Sequence, residues 1–494
     1  MNVTRMLATS CRRHTTAVAV VDDEVSLSYT ELLRRTIGVA RQLIDKGIMP
    51  GDRVGILLPN GVPYTVSYLA VHAASGIAVL VNSRLTVPEL THVLSDARVA
   101  AVITDASLEN LVVYSAAAVL DAHDLMRHAD GDPKNAAHLP GWHSTNADVA
   151  QLLYTSGTTG RPKGAMQTHG NLMFNIGIAH ANFGIGPETA TLIVAPMFHA
   201  TGVNSQLLPC LAAGARSVLA LAFHPVRTLD ELARHQITLF GGVAAMIELL
   251  ALDDRFGEQF LPCLRTVGMG GSPVPPSTLG LLAARLPHCQ VVNVWGLTEA
   301  TSIVTTAIGR EYFDRPWTAG RAVDGVEVIV ARGRSLEPAP PGTVGELLVR
   351  GPGVTAGYWE RPEATAATFE DGWLRTGDVG RIDEQGFVQV LDRLKDMIIR
   401  GGENIYCLEV ENALTSHAGV AEAAVVGVPH PIFGEQVKAV VAPVRGVKVT
   451  ERELAEHIAG RLADYKRPVT YEFVEALPRN ASGKVVKRFL VGRG

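Results

Sequence analysis

Cysteine is scarce in this sequence, and the placement of the few cysteines excludes two kinds of protein. The 494 residues contain five cysteines, and no two of them form a Cys-x-x-Cys pair. Disulfide-rich domains and structural zinc sites both need paired or clustered cysteines. The sequence therefore predicts neither a disulfide framework nor a zinc site, and a reducing cytoplasm is the location that fits it best.

Long apolar runs and an excess of positive charge are absent as well. No stretch of about 18 apolar residues occurs, and the amino terminus carries arginines without an apolar signal segment. The formal net charge is −5, so there is no general positive field to hold nucleic acid or an anionic membrane. We expect a soluble protein with no integral membrane segment and no nucleic-acid partner.

What the sequence does have is enough apolar content for large folded cores. Hydrophobic residues make up 47% of the chain and charged residues 19%, which excludes intrinsic disorder. At about 100 to 200 residues per domain, the length predicts two to four folding units.

The amino-terminal half alternates apolar strands with amphipathic helices. Ser28-x-x-Glu31 is a helix-capping box that precedes apolar residues at helical spacing. Alternation of this kind predicts parallel α/β layers. Residues 120–146, rich in His, Asp, Pro and Gly, are predicted to be a surface connection. Strands are predicted at 54–58, 77–81, 99–104 and 149–154, and a helix at 88–96.

The pattern changes after Gly325. Short apolar runs separated by Gly, Pro and acidic residues predict a small antiparallel barrel or sheet there. The last hundred residues predict a separate α+β unit, with strands at 423–428 and 437–443 and a helix opened by the Thr450-x-x-Glu453 box.

The clearest chemical signal is the segment Tyr154-Thr-Ser-Gly-Thr-Thr-Gly-Arg-Pro-Lys-Gly164, which follows a predicted strand. Its glycines allow backbone N–H groups to turn inward around an anion, its hydroxyls can bind phosphate oxygens or magnesium, and Lys163 adds positive charge. The segment predicts a phosphate-binding loop. It is not the Gly-x-x-x-x-Gly-Lys-Ser/Thr loop, because Pro162 stands where the second glycine should be.

This loop resembles that of the adenylate-forming enzymes, which include acyl-CoA synthetases, firefly-luciferase-like enzymes and peptide-synthetase adenylation domains. The resemblance extends from about Ser28 to Lys484, because later segments agree with the family in its order. These segments are Ala195-Pro-Met-Phe-His199, Gly270-Gly-Ser-Pro273, Asn293-Val-Trp-Gly-Leu-Thr-Glu299, Trp373-Leu-Arg-Thr-Gly-Asp378, Asp392-Arg-Leu-Lys-Asp396, Gly401-Gly-Glu-Asn-Ile-Tyr406 and Pro478-Arg-Asn-Ala-Ser-Gly-Lys484.

The resemblance implies a role for each motif residue. Glu299 and Thr155 would bind magnesium, and Thr298 would contact the α-phosphate. Trp295 would stack on adenine opposite the Gly271-Ser272-Pro273 backbone. The implied nucleotide-binding residues are Thr155, Ser156, Gly157, Thr158, Thr159, Gly160, Lys163, Gly271, Ser272, Pro273, Asn293, Trp295, Gly296, Asp378, Arg393 and Lys395.

The resemblance also implies catalytic and substrate residues. Lys484 would offset the charge that develops at the α-phosphate, alongside Thr298, Glu299 and His199. Asp378 would accept hydrogen bonds from the ribose hydroxyls. The acyl group would be contacted by His199, Gly241, Ala244 and Gly270, and coenzyme A by Gly402, Glu403, Asn404, Phe433, Tyr465 and Arg467.

As a whole, the resemblance implies an α/β protein with a large amino-terminal portion, made of two α/β sheet subdomains and a small β-barrel, and a small mobile α+β carboxy-terminal domain. The predicted limits are an adenylation domain at 1–392, a hinge at 393–395 and a mobile domain at 396–494, with the active site between the two domains. The implied reaction joins a carboxylic acid to coenzyme A with MgATP, through an acyl-adenylate, releasing pyrophosphate and AMP.

Two alternatives and the identity of the acid stay open at this stage. The acceptor could instead be a carrier-protein thiol, or the chain could be an inactive nucleotide-binding regulator. The Gly and Ala content of the acyl-pocket segments, such as Ala244-Ala245, indicates room for an aryl or cinnamic acid or a medium-chain fatty acid. No cationic residue lies there to pair with a second carboxylate, so a diacid is disfavoured. Homodimer formation is left open.

Overall fold

The computed structural model describes residues 1–112, 117–155, 162–271, 274, 276–479 and 485–491. Helices and strands alternate through the first three hundred residues, as predicted. The helices are α1 (Val3–Arg13), α2 (Tyr29–Asp45), α3 (Val62–Ala73), α4 (Val87–Asp96), α5 (Ala122–Arg127), α6 (His169–Phe183), α7 (Ala200–Gly202), α8 (Leu208–Ala213), α9 (Pro225–Arg234), α10 (Ala244–Ala251), α11 (Pro276–Arg285), α12 (Arg310–Asp314), α13 (Pro362–Thr368), α14 (Cys407–Thr415), α15 (Glu451–Ala459) and α16 (Arg488–Val491).

The strands of the described residues form four sheets. They are β1 (Val18–Val21), β2 (Ser26–Ser28), β3 (Arg53–Leu57), β4 (Ile77–Leu80), β5 (Ala101–Thr104), β6 (Ala118–Asp121), β7 (Val149–Thr155), β8 (Lys163–Thr168), β9 (Ala190–Ile193), β10 (Arg216–Leu219), β11 (Leu239–Val243), β12 (Thr266–Gly270), β13 (Gln290–Trp295), β14 (Thr305–Ile308), β15 (Arg321–Ala322), β16 (Glu327–Ala331), β17 (Gly345–Arg350), β18 (Phe369–Glu370), β19 (Trp373–Ile382), β20 (Val388–Arg393), β21 (Ile398–Arg400), β22 (Glu403–Ile405), β23 (Val420–His430), β24 (Gly434–Pro443) and β25 (Thr470–Phe473).

Two large α/β sheets account for most of the first three hundred residues. One has six strands in the order β6-β5-β3-β4-β7-β8, parallel except for the antiparallel pair β7 and β8. The other has nine strands in the order β15-β14-β13-β12-β11-β9-β10-β1-β2, with parallel strands at its centre. Central strands such as β4 and β9 are buried along their whole length, as expected where helices cover both faces of a parallel sheet.

The predicted capping boxes are confirmed. The Ser28 hydroxyl and the Glu31 carboxylate close the amino terminus of α2, and Thr450 and Glu453 do the same for α15. Both boxes satisfy backbone N–H groups that the first helical turn leaves without partners.

The region predicted as a surface connection, residues 120–146, is more ordered than expected. It contains α5 and two 3-10 turns, and its glycines pack against helices. A side chain on Gly141 would lie 1.9 Å from the carbonyl oxygen of His72, and one on Gly131 would lie 2.6 Å from Ile37. The segment is a partly exposed connection between β6 and β7, as predicted, but these two glycines permit close backbone approach in addition.

Two smaller sheets follow. Strands β16 to β20 form a five-stranded sheet where the small barrel or sheet was predicted, and β21 to β25 form another, in which β23 and β24 make a long antiparallel pair. The chain divides into two compact units, the first of Met1–Val328 and Val349–Leu374, the second of Ile329–Leu348 and Arg375–Gly494. The predicted fold class is confirmed. The limit at 392 and the hinge at 393–395 stay predictions.

No helix among the described residues is long and apolar enough to cross a membrane.

Candidate active site

Glu299 is the centre of a small polar cluster in the first unit. It lies in a 3-10 turn, Thr298–Ala300, shortly after β13. Its Oε1 accepts a hydrogen bond of 2.8 Å from the Tyr358 hydroxyl and one of 3.3 Å from the Thr155 hydroxyl. Burial, and secondarily the Glu299 carboxylate, raise the pKa of Tyr358, so the phenol stays protonated and donates. The structure thus brings the two predicted metal ligands into contact.

Thr155 and Lys163 mark the two ends of the phosphate loop. They form the last residue pair of β7 and β8. The Lys163 ammonium lies 5.2 Å from the centroid of the Tyr358 ring, within the range of a cation–π contact. Tyr358 therefore touches both a predicted metal ligand and the predicted loop lysine. The predictions for Ser156, Gly157, Thr158, Thr159 and Gly160 lie outside the described residues.

Sequence reasoning missed Tyr358, which lies in the segment Gly357-Tyr358-Trp359. The segment runs beside β8, where the Met166 N–H donates to the Gly357 carbonyl at 2.9 Å and the Trp359 N–H to the Gly164 carbonyl at 2.8 Å. These bonds fix the tyrosine in register with the phosphate-loop strand.

Three buried amide side chains lie behind the Glu299 turn. Gln151 donates to Gln167 at 2.7 Å and to Asn204 at 2.9 Å, and Asn204 donates to Gln167 at 2.8 Å. All three are at most 1% exposed, so each lost bond would leave a buried polar group without a partner. We call these three residues the amide triangle.

The amide triangle holds the Glu299 turn from behind. Gln167 donates to the Thr298 carbonyl at 2.9 Å, and Asn204 donates to the Thr301 carbonyl at 2.7 Å. Thr301 has a left-handed backbone with φ of 67°, and its hydroxyl donates to the Gly353 carbonyl at 2.6 Å. The turn is therefore fixed at both ends. Sequence reasoning missed the triangle, since glutamines in two apolar strands were its only signal.

The predicted adenine-side residues lie at the carboxyl ends of β12 and β13. Gly296 is required by close packing, because a side chain there would lie 1.5 Å from the Ser302 carbonyl oxygen. Trp295 is half-buried and packs in an apolar cluster that includes Ala300. Asn293 donates to the Thr318 carbonyl at 3.1 Å, which gives it a structural contact.

Of the four predicted residues at 270–273, the structure describes the first two. Gly270 ends β12, and Gly271 follows it with φ of 77°. Ser272 and Pro273 lie outside the described residues.

His199 caps the short helix α7 with its own ring. Nδ1 accepts the Thr201 N–H at 3.2 Å and lies 3.0 Å from the Thr201 hydroxyl, so in the neutral ring the proton is on Nε2. Gly241, on β11, pairs with Gly268 on β12, and Ala244 begins α10. The predicted acyl-pocket residues thus belong to the ends of neighbouring elements of the nine-stranded sheet.

In the second unit, Asp378 and Arg393 form an ion pair. They face each other across β19 and β20, with Arg393 Nε 2.6 Å from Asp378 Oδ1. Asp378 is only 3% exposed, so the guanidinium stabilises its buried negative charge. Lys395, two residues beyond β20, is exposed.

Gly401 and Gly402 make the tight turn between β21 and β22. Their φ angles are 60° and 89°, values typical of the two central residues of a type I′ hairpin turn and favourable for glycine. Glu403 and Asn404 are exposed on the outgoing strand.

Phe433 and Tyr465 meet at an arginine that sequence reasoning missed. The Arg400 guanidinium carbon lies 4.8 Å from the Phe433 ring centroid, and the same guanidinium donates to the Tyr465 carbonyl at 3.2 Å. The His430 ring stacks on Phe433 at 4.9 Å. Phe433 is exposed and the other three are partly exposed, so together they form an aromatic surface beside one guanidinium.

Arg467 is engaged elsewhere in the second unit. Its guanidinium donates to the Leu462 carbonyl at 2.9 Å and to the Ala459 carbonyl at 2.6 Å, at the carboxyl end of α15. Its predicted contact with coenzyme A stays a prediction. Lys484 lies outside the described residues.

The Glu299 cluster fits a magnesium nucleotide by its chemistry. A carboxylate and a hydroxyl oxygen side by side are ligands that Mg²⁺ prefers. No group of three or more His, Cys, Asp or Glu side chains able to hold a metal occurs in the described part of the chain. Mg²⁺ in nucleotide sites is usually bound through one or two carboxylates together with substrate phosphates and water, and a single carboxylate such as Glu299 suits that arrangement.

Comparison with known proteins identifies the family. Residues 7–359 match the AMP-binding enzyme family, and residues 409–484 match the AMP-binding enzyme C-terminal domain. A feruloyl-CoA synthase from Amycolatopsis sp is 40% identical over 474 residues, covering 95% of this chain and 94% of that protein. A 2-succinylbenzoate–CoA ligase from Bacillus cereus is 34% identical, covering 96% and 94%.

Solved structures agree with the sequence relatives. The o-succinylbenzoate CoA synthetase from Bacillus subtilis, in complex with its acyl-adenylate intermediate, has a TM-score of 0.89 at 31% identity, covering 98% of this chain and 97% of that chain. The same enzyme in complex with ATP and magnesium has a TM-score of 0.87 at 30% identity, covering 98% of each chain. The resemblance inferred from the motifs is confirmed, and the chain belongs to the AMP-binding enzyme family as an AMP-forming acyl-CoA ligase.

Proposed function

We propose that this chain joins an aromatic carboxylic acid, of the benzoate or hydroxycinnamate type, to coenzyme A. In the first step the carboxylate attacks the α-phosphorus of ATP, and pyrophosphate leaves as the acyl-adenylate forms. In the second step the thiol of coenzyme A attacks the acyl carbon, and AMP leaves as the thioester forms.

The observation that carries the first step is the contact between Thr155 and Glu299 at 3.3 Å. It joins the strand that begins the phosphate loop to the turn that carries the carboxylate. When bound there, Mg²⁺ would offset the negative charge of the phosphates. The protein's own contribution is positional: Tyr358 fixes the carboxylate by donating to Oε1, and Lys163 adds positive charge beside the loop.

The Glu299 turn supports a role for Thr298 next to the reacting phosphate. Because Gln167 holds the Thr298 carbonyl and Asn204 holds the Thr301 carbonyl, the turn is already ordered before substrate arrives. Preorganised groups lose little entropy on binding, and adenylation depends mainly on such positioning. We further propose that Trp295 stacks on adenine and that Lys484 offsets charge at the reacting carboxylate and α-phosphate.

The proposed acid class rests on relatives and on the acyl-pocket glycines. The relatives include a feruloyl-CoA synthase at 40% identity and 2-succinylbenzoate–CoA ligases at 34%, and each acid carries an aromatic ring. Gly241 and Gly268 pair on neighbouring strands. A side-chain carbon on Gly241 would only touch the Gln206 amide, at 3.5 Å, whereas one on Gly268 would lie 2.8 Å from the Phe183 ring, so it is Gly241 that supports space for an acyl group. His199 is proposed to orient the acyl group beside them.

For the second step, the surface formed by Arg400, His430 and Phe433 supports binding of the nucleotide of coenzyme A. An exposed ring can stack on adenine, and the guanidinium beside it can pair with phosphate. The Gly401-Gly402 hairpin, next to Phe433, is proposed to contact the pantetheine arm. The cytoplasm is the proposed compartment, in keeping with five cysteines that are all unpaired, and a homodimer is a state to be tested by sedimentation.

Pyrophosphate release tests this proposal, measured with MgATP and a panel of benzoates, hydroxycinnamates and fatty acids, each with and without coenzyme A. We expect sustained release only with an aromatic acid plus coenzyme A, with acyl-CoA and AMP formed in equal amounts. The matched control is Lys484→Ala, which should lose adenylation.

Two results would favour the other candidates. Sustained turnover with octanoate and none with aromatic acids would assign a medium-chain fatty acid. A single burst of pyrophosphate that coenzyme A does not extend would favour transfer to a carrier-protein thiol.

A further inference from the structure

Gln206 is a buried side chain with one unsatisfied end. It lies in a π-helical turn, Val203–Leu207, between α7 and α8, and is 4% exposed. Its Nε2 donates to the Thr201 carbonyl at 3.1 Å, whereas its Oε1 has no hydrogen-bond partner among the described residues. Because a carbonyl accepts only from a donor, the Thr201 contact fixes which end of the amide is nitrogen.

The amide of Gln206 lies directly opposite Gly241. A side-chain carbon placed on Gly241 would lie 3.5 Å from the Gln206 Cδ and 3.7 Å from its Oε1. Gly241 does not have a positive φ, so its backbone conformation does not require glycine. It is also partly exposed, unlike its strand neighbours Phe240 and Gly242. The missing side chain therefore serves to leave room beside the amide.

Gln206 thus joins two segments assigned to the acyl pocket. The Thr201 carbonyl that it contacts belongs to the turn whose other contacts hold the His199 ring. Gly241, on its other side, belongs to the paired glycines of β11 and β12. A buried acceptor without a donor is unfavourable, and a π-helical turn is a common feature of functional sites. Both observations indicate that the missing donor arrives with the substrate.

We propose that Oε1 of Gln206 accepts a hydrogen bond from a hydroxyl group on the aromatic ring of the acid, which makes Gln206 a specificity residue for phenolic acids. This inference rests on the proposed function, because it needs an aromatic acid in the pocket. A methoxy group in place of the hydroxyl brings no proton, so it would leave the amide oxygen unpaired.

The test compares matched pairs of acids in the wild-type enzyme and in Gln206→Met. The acids are cinnamate, its 2-, 3- and 4-hydroxy derivatives and the corresponding methoxy acids, and the readout is kcat/KM for pyrophosphate release. At one ring position, we expect the wild-type kcat/KM for the hydroxy acid to exceed that for cinnamate and that for the corresponding methoxy acid by about tenfold or more. Gln206→Met keeps the volume but removes the acceptor and also the donor to the Thr201 carbonyl; it should abolish that preference while changing the value for cinnamate much less.

Gln42→Met is the matched control. Gln42 is also a partly buried glutamine that donates to a carbonyl, that of Leu125 at 2.9 Å, but it lies on α2 outside the acyl-pocket segments. It should leave the hydroxyl preference unchanged. If Gln206→Met fails to fold, the wild type still tests the inference, because equal kcat/KM for the hydroxy and methoxy acids at every ring position would overturn it.

The outcomes separate this inference from the proposed function. If aromatic acids are activated equally with and without a hydroxyl at every position, or if Gln206→Met lowers all acids by the same factor, the assignment of Gln206 is overturned and the aromatic ligase stands. If no aromatic acid is activated, the proposed function itself fails.

Discussion

The hydroxyl of Tyr358 donates a 2.8 Å hydrogen bond to Oε1 of Glu299, the same oxygen that accepts from Thr155. One oxygen of the carboxylate is thereby held by protein donors. The other oxygen, Oε2, has no hydrogen-bond partner among the residues that the structure describes. It is therefore the carboxylate oxygen that remains available to bind magnesium. The tyrosine belongs to none of the motifs quoted from the sequence, yet it contacts the predicted metal ligand Glu299 and the predicted loop lysine Lys163.

Tyr358→Phe should weaken the use of magnesium nucleotide. The variant removes a hydrogen bond to a charged group, so we expect kcat/KM to fall about 10- to 100-fold and half-saturation to need more Mg²⁺. Pyrophosphate release as a function of Mg²⁺ concentration measures both effects. Tyr29→Phe is the control, since the Tyr29 hydroxyl donates to the Ala215 carbonyl in the core and should affect stability alone. An unchanged Mg²⁺ dependence in Tyr358→Phe would contradict the role of this phenol.

Gln167→Glu should show whether the amide triangle positions the Glu299 turn for catalysis or serves only the stability of the fold. The variant keeps an acceptor for Gln151 and Asn204, but its carboxyl can donate to the Thr298 carbonyl only when protonated, and when ionised it places a buried negative charge beside that carbonyl. We expect kcat to fall about tenfold, with a smaller change in KM for ATP, because the turn and not the nucleotide pocket is released. Gln167→Leu breaks the whole triangle and should lower the free energy of unfolding by about 3 kcal/mol. Equal kinetics for Gln167→Glu and the wild type would show that the triangle is structural only.

Stability should fall in mild acid because of two buried histidines. His72 and His169 lie with their rings 5.5 Å apart. Burial lowers the pKa of His72 well below its usual value and that of His169 to about 4. Below pH 6.5 these histidines are protonated in the unfolded chain but stay neutral in the folded chain. The free energy of unfolding therefore rises with pH between about 4 and 6.5.

His169 alone should account for about 3 kcal/mol of this loss between pH 6.5 and pH 4. Urea unfolding at several pH values measures it, and His169→Gln should reduce the slope of stability against pH by about one proton. A slope that is the same in the variant and the wild type would refute the assignment.

Arg467→Ala distinguishes two roles in the second unit. Because its guanidinium is engaged with the Leu462 and Ala459 carbonyls, we expect a loss of about 1 to 2 kcal/mol in stability and little change in KM for coenzyme A. Arg400→Ala, by contrast, should raise KM for coenzyme A, since Arg400 lies on the exposed face of Phe433. A large rise in KM for Arg467→Ala would instead support its predicted nucleotide contact.

The features that could be predicted from the sequence are those that depend on local residue patterns. Periodicity and capping residues predicted β4 and α4 to within a residue or two and the start of α15, and the motif series predicted the family. Tyr358, Gln206 and the amide triangle could not be predicted in the same way. Their roles come from contacts between residues far apart in the chain, such as Lys163 with Tyr358 and Gln167 with Thr298, or from a missing partner, as with Oε1 of Gln206. Such contacts leave no periodic signal. For the same reason the packing role of Gly131 and Gly141, within residues 120–146, could not be predicted from the sequence.

The central claim is tested most directly by following ferulate, MgATP and coenzyme A together with the purified wild-type chain. The account predicts continuous formation of feruloyl-CoA and AMP in equal amounts, with one pyrophosphate per turnover and none from Lys484→Ala. Absence of any acyl-CoA from ferulate or other aromatic acids, alongside turnover of an aliphatic acid, would contradict it.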